Sequence, residues 1–418
     1  MLKDTIELHR QGDLEAAERG YRSHLDEHPD DIDALHLLGL LRRQRGAAEE
    51  GRQLVERAHE LAPDDAGIRV SLGALRFQAG DLDGARACYE EALESDPNTA
   101  AAHSGLGQLA AMRGERDVAE RHFRTALRAD EDAQSLAGLG ALALDRGNAD
   151  EAMRYLARAA ELAPDDALIQ MNLGRAFAKR GTVAFAEQAY ANALQLKPDL
   201  ASAHALLAEL LVGAGRSADA DPHFRALSRT PGFEARGLLG LADLARADGR
   251  LEDAVARYRE ALAHDPRQPL AARMLGWSLA KLGRVDEAIA AYDAYLALDS
   301  ANTGVRSDRA DLLMLTGRLA EAAQAWQALH DDNAADATAT SRLAILREWL
   351  GNLDAAEDHA ERALLLAPDD VEMMLIKVRA GLRHGDDQAA RELLERLDRQ
   401  TVSDANARRR SQYLGFVH

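Results

Sequence analysis

Residues 65–98 read DAGIRVSLGALRFQAGDLDGARACYEEALESDPN. Leu72-Gly73 stand eight and seven residues before Gly80; Ala85 and Tyr89 stand five and nine after it, and Pro97 seventeen after. The spacing predicts two helices joined by a tight turn. Gly80 ends the first helix, where a left-handed residue costs glycine least. Asp81 suits the start of the second helix. Pro97 cannot continue that helix and fixes the next turn. The small Gly73 lets two helix backbones approach. Leu72 and Tyr89 fill the space between helices, each contributing about 1.5–3 kcal/mol when buried.

The same places recur along the 418 residues. The turn glycine returns as Gly12, Gly46, Gly80, Gly114, Gly147, Gly181, Gly215, Gly249, Gly283, Gly317, Gly351 and Gly385. Its spacing is 34 residues except for one step of 33 between Gly114 and Gly147. Ala stands five residues after the glycine in every unit but the second, which has Gly51. The place nine after it takes Tyr21, Tyr89, Phe123, Tyr190, Phe224, Tyr258, Tyr292 and Trp326, 8 of the 18 aromatics in the chain. Leu recurs eight before it from Leu38 to Leu343, followed by a small residue. Twelve such units make one repeat array rather than the two or three globular domains that length alone would suggest.

Leu-Gly in the first helix, Gly at the turn, Ala then Tyr or Phe in the second helix and a terminal Pro together resemble the tetratricopeptide repeat. The resemblance covers residues 1–404. It implies an all-α, right-handed α-solenoid superhelix, with first helices lining a concave face that takes extended peptides or helices. Residues 405–418 begin another helix, and Leu414-Gly415 matches the opening of a thirteenth unit. This segment reads either as a capping helix or as the start of a unit cut short.

Composition removes several functions. The net charge of −19 opposes general nucleic-acid binding, which needs clustered cations. The single cysteine, Cys88, excludes an intramolecular disulfide framework and a Cys-based zinc site. No apolar run approaches the ~18 residues of a membrane helix. The opening MLKDTIELHRQGD carries charge where a signal peptide is apolar, so a cytoplasmic location is expected. Arg far outnumbers Lys, 46 to 5, a skew that points to a GC-rich bacterial genome.

Apparent catalytic signatures dissolve. Gly105-Leu106-Gly107-Gln108-Leu109-Ala110 and Gly138-Leu139-Gly140-Ala141-Leu142-Ala143 fit a dinucleotide fingerprint, but they fall inside first helices instead of following a strand. His24 and His28, four apart at a helix end, could hold a metal, but they suit the helix C-terminus better. No enzyme activity, cofactor or metal is expected.

Departures from the pattern carry the functional reading. In the seventh unit, Pro222 falls near the start of the second helix, and Asp221 is expected to cap a helix shortened to begin there. The stretch 213–234 is therefore either a tolerated irregularity or a hinge. Arg309 and Lys377 replace Leu in the tenth and twelfth units.

On the inward stripe, counted ten, six, three and two residues before the turn glycine, three zones emerge. An apolar zone holds Val70, Ala74, Phe77, Met112, Ala141 and Leu144. A cationic zone holds Arg175, Lys179, Arg236, Arg246, Arg273 and Lys281 around Trp277, partly offset by Glu209 and Asp243. A mixed zone holds Asp311, Met314, Ile345, Glu348 and Trp349.

The cationic zone reads as a clamp for an acidic segment or a chain carboxylate, with arginine suited to bidentate recognition and Trp277 as an aromatic anchor. The Lys and Asn pattern of chaperone-tail receptors and an asparagine ladder are both missing; Asn172 is the only Asn at the relevant place. The expected function is a scaffold binding a protein or peptide segment in its groove. The alternative is the substrate-recruiting array of a modular bacterial sulfotransferase or glycosyltransferase, which the opening units DIDALHLLGLLRRQRG and ELAPDD resemble.

Overall fold

In the computed structural model, which describes residues 2–399, regular structure among the described residues consists of twenty-four α-helices, from α1 (Leu2–Arg10) to α24 (Asp387–Arg399). They alternate as first and second helices of the repeat. The expected terminal helix at 405–418 lies outside the described residues.

The third repeat shows why the sequence folds this way. Helix α5 (Ala66–Gln78) starts where Asp65 Oδ1 accepts the Ile68 amide at 2.9 Å. It ends at Gly80, whose φ is +81°, with the Asp81 amide reaching back to the Arg76 carbonyl at 2.9 Å. This is a left-handed closure that satisfies the last carbonyls. Asp81 then caps α6 (Leu82–Ser95) by accepting the Gly84 amide at 2.9 Å. All twelve turn glycines have φ between +73° and +83°. Side-chain capping of second helices is sparser than the Asp and Asn residues at these turns suggest: Asp13, Asp81, Asn148 and Asp386 accept an amide there, whereas Asn352 accepts none. First helices are capped more regularly, by Asp31, Asp65, Asp132, Asp166, Asn302, Asp336 and Asp370.

The core is rebuilt in every repeat. All eight aromatics at the recurring place are buried, as are the alanines five after the turn. Tyr89 lies between two helices that each offer a glycine. A Cβ on Gly73 would come within 2.7 Å of the Tyr89 ring, and one on Gly105, in α7 (Ala100–Met112) of the next repeat, closer still. Phe123 is held the same way by Gly107 and Gly138. The two fingerprint-like motifs are therefore sockets: the first glycine admits the preceding repeat's aromatic, and the second admits its own repeat's residue.

The chain divides into two compact units, residues 1–220 and 221–418. Within each, a first helix packs mainly on its own second helix, and that second helix packs on the next first helix. No described helix is long and apolar enough to cross a membrane.

The seventh repeat corrects one expectation. Helix α14 runs Ser217–Leu227 and contains Pro222 as its sixth residue; it does not begin there. Asp221 does not cap it but binds the Arg225 guanidinium one turn on. The proline is tolerated because it is exposed and lies early in the helix, where it removes a single backbone donor. The helix is cut short at its other end. There Thr230 to Phe233 form a turn with Pro231 and Gly232 at its centre, the Phe233 amide bonding the Thr230 carbonyl at 3.0 Å, and Gly232 has φ +82°. Proline then glycine suits a type II turn.

Candidate functional site

The cationic stripe is built mainly on two first helices of the second unit, α15 (Glu234–Ala247) and α17 (Pro269–Lys281). Arg273, Trp277 and Lys281 stand four residues apart on α17, so one helix face carries all three. Arg273 and Lys281 are exposed, and among the described residues neither forms an ion pair. The Trp277 ring is half-buried and receives two cations. The Arg246 guanidinium from α15 and the Lys281 ammonium each lie 5.6 Å from its centroid, within range of cation–π attraction. Arg246 also lies 3.6 Å from Asp243 on its own helix. Asp243 in turn accepts the Tyr258 hydroxyl at 2.6 Å. Burial, reinforced by this carboxylate, pushes the Tyr258 phenol up.

The structure sorts the remaining predicted residues. Arg236 is exposed on α15 but stands thirteen residues before Gly249, off the counted stripe, and is already engaged by an interaction of its own. Arg175 and Lys179 belong to α11 (Ala167–Lys179) in the first unit, where Arg175 donates to Asn172 Oδ1 at 3.0 Å. Phe77 is half-buried on α5, and Met112 is 61% exposed at the end of α7. Leu144 is a correction. It is buried in the core against Leu156 and Ala176, because the first helix of the next repeat covers the place three before the turn glycine.

Beyond α17 the stripe turns acidic, then apolar. Asp308 and Asp311 lie on α19 (Thr303–Leu315). Protein crowding and the neighbouring Asp311 raise the Asp308 carboxyl, with Arg273 opposing. Crowding also raises Asp311, against the pull of Arg342 at 3.0 Å. A small cleft of about 110 Å³ follows, with Met314, Ile345, Trp349 and Ile376 among its walls. Its charges are matched internally, since Arg379 makes two 2.7 Å bonds to Glu348. Trp349 is 55% exposed there. Sequence reasoning missed Arg379, which stands six before Gly385 on the stripe of the twelfth repeat, and Ile376, a buried residue nine before it; the Lys377 beside Ile376 drew attention instead. Lys377 binds Glu357 at 2.9 Å, and Arg309 binds Asp293 at 2.5 Å, so an ion pair to the preceding second helix replaces each missing Leu.

His24, the metal candidate, is tied to Asp31 at 3.0 Å, with its ring 4.9 Å from that of His28.

Tetratricopeptide-repeat family models match residues 137–201, 205–256, 239–303 and 342–405, more than half the chain, and a second such model matches 42–109 and 76–143. No protein of curated function matches the sequence. Among solved structures, the chain is similar to PilW, a type IV pilus biogenesis factor, with 26% identity and a TM-score of 0.45 over 51% of this chain and 98% of that one. It is also similar to PilF of Pseudomonas aeruginosa, with 24% identity and a TM-score of 0.44 over 49% and 94%. YrrB, a repeat protein with an unusual peptide-binding site, shows 24% identity and a TM-score of 0.35 over 44% and 95%.

Proposed function

The chain belongs to the tetratricopeptide repeat family, and from that premise we propose that its second unit grips an acidic peptide segment along the first-helix face of α15 and α17. The repeat array itself is a scaffold for protein–protein interaction. The first-helix face suits the role because several successive first helices approach one another, as α5 does α7 and α21 (Ala337–Trp349) does α23 (Val371–His384), while second helices make no comparable approach; α15 and α17 are not among these pairs and are joined instead by the Arg246 guanidinium over Trp277. A face whose helices converge is the concave one.

One observation carries the acidic specificity. On a chain of net charge −19, Arg273 and Lys281 form no ion pair among the described residues, although the Asp308 carboxyl lies within electrostatic reach of Arg273, and Lys281 joins Arg246 over the Trp277 ring. Arg246 and Lys281 cover the Trp277 ring, so Trp277 acts less as a bare anchor than as a platform that holds both cations in place. The ligand then supplies carboxylates, and arginine offers them paired donors. Arg175 and Lys179 form a separate cationic patch on the first unit. The reading includes a cytoplasmic setting for the scaffold.

The test is fluorescence anisotropy of the full chain with a labelled Asp/Glu-rich peptide and its Lys-rich counterpart. The acidic peptide should bind, with affinity falling as salt rises. Arg273→Glu with Lys281→Glu should weaken binding at least about tenfold, since two repulsions replace two attractions. Equal affinity of both peptides, or an unaffected double variant at low salt, would sink the proposal.

A further inference from the structure

We propose that His103 and His122, on the fourth repeat, form a two-nitrogen chelate for a divalent transition-metal ion of the zinc, copper or nickel class. The imidazoles face each other from α7 and α8 (Arg116–Ala129), with their Nδ1 atoms 3.1 Å apart and ring centroids 5.3 Å apart. His103 Nε2 lies 3.1 Å from the Pro97 carbonyl oxygen. Only a protonated nitrogen bonds a carbonyl, so Nε2 carries the hydrogen and the Nδ1 lone pair is turned toward His122. A metal-bound imidazole is oriented this way, its distal N–H resting on a carbonyl.

The spacing fits an ion. Metal–nitrogen bonds of about 2.0–2.1 Å spanning 3.1 Å meet at roughly 100°, between the square and tetrahedral angles. With His103 Nε2 protonated, His122 Nδ1 is the donor in this contact. Moving that proton to His122 Nε2 presents a second lone pair without changing the net charge of the ring.

An open cleft adjoins one of the two imidazoles. His122 lines a cleft of about 540 Å³ shared with Arg86, Glu90, Glu94 and Glu115. The carboxylates favour a cation, and the open cleft supplies water for the remaining positions. Among the described residues no group of three or more His, Cys, Asp or Glu is placed to hold a metal; the site has two protein ligands, completed from solvent. A sequence observation supports design over accident. His204 and His223 stand eleven before and eight after Gly215, the same places that His103 and His122 take around Gly114. His204 Nε2 likewise bonds its turn-proline carbonyl, that of Pro198, at 2.9 Å. The proposal is independent of the peptide reading.

The test titrates zinc chloride into the full chain at pH 7.5 against a chromogenic chelator. His103→Gln with His122→Gln should lose one equivalent of bound zinc with helical circular dichroism unchanged, whereas His28→Gln should lose none. Undiminished zinc binding by the double variant, or loss that follows His28 instead, would overturn the site. Should the double variant fold poorly, diethyl pyrocarbonate labelling of the wild-type chain decides. Zinc should protect His103 and His122 from modification, and equal labelling of both with and without zinc refutes the chelate.

Discussion

At the residue scale, much of this protein is a set of sockets. Tyr89 and Phe123 each need a glycine on either side, and the recurring Leu-Gly pair announces half of that arrangement in sequence. The other half, the glycine two residues earlier in the next repeat, is legible only as a false nucleotide motif until the aromatic is seen against it. Gly51 is a sharper case. Every other repeat has Ala at that place, yet a Cβ on Gly51 would lie 2.6 Å from the Gly39 carbonyl oxygen. Restoring the consensus with Gly51→Ala should therefore destabilise the chain by about 1–3 kcal/mol, despite a helix-propensity gain of about 1 kcal/mol. Urea denaturation monitored by circular dichroism checks this, and a rise in stability contradicts it. Asp308 gives a pH-dependent prediction. Its carboxyl is raised in the folded chain, so ionisation is penalised at neutral pH, and the penalty disappears below the unfolded carboxylate range. Asp308→Asn should raise the thermal midpoint at pH 7 but leave it unchanged near pH 3. It should also tighten binding of an acidic peptide beside Arg273.

At the element scale, the turns were readable because each glycine performs one mechanical duty: closing a helix in the left-handed region. The start of α14 was not readable. Proline's cost depends on whether its missing donor and its ring meet anything, and Pro222 is exposed early in the helix. The sequence shows a proline but not that the surroundings accept it. Pro222→Ala should restore a helical donor without losing packing and raise the thermal midpoint modestly, by about 1 kcal/mol or less in stability. A drop on scanning calorimetry would mean that the ring packs or pre-organises the helix. The inward stripe was partly readable for a related reason. Places ten and six before the turn face outward from the repeat's own core, whereas the place three before it lies at the edge of the next repeat. There the neighbour's side chains decide, and Ala176 closes over Leu144.

At the scale of the whole molecule, repeats that contact mainly their neighbours should lose stability locally. Gly181, with φ +80°, is the turn between α11 and α12 (Val183–Leu196). A β-branched residue is strained there, so Gly181→Val should speed amide exchange in these two helices and leave α3 (Ile32–Gln44) to α6 nearly unchanged. Uniform acceleration throughout the unit would show a more cooperative array. Charge follows the same repeating logic. Aspartates at the turns cap first helices, which places much of the net −19 at helix ends, while Arg273 and Lys281 lie exposed on the first-helix face and form no ion pair among the described residues. In the proposed function this face receives an acidic segment, and hydrogen exchange of the full chain with and without a saturating Asp/Glu-rich peptide reads that contact out. Protection should concentrate on residues 234–247 and 269–281 and spare the intervening second helix, 251–264; protection of that second helix alone, or of neither first helix, would contradict it.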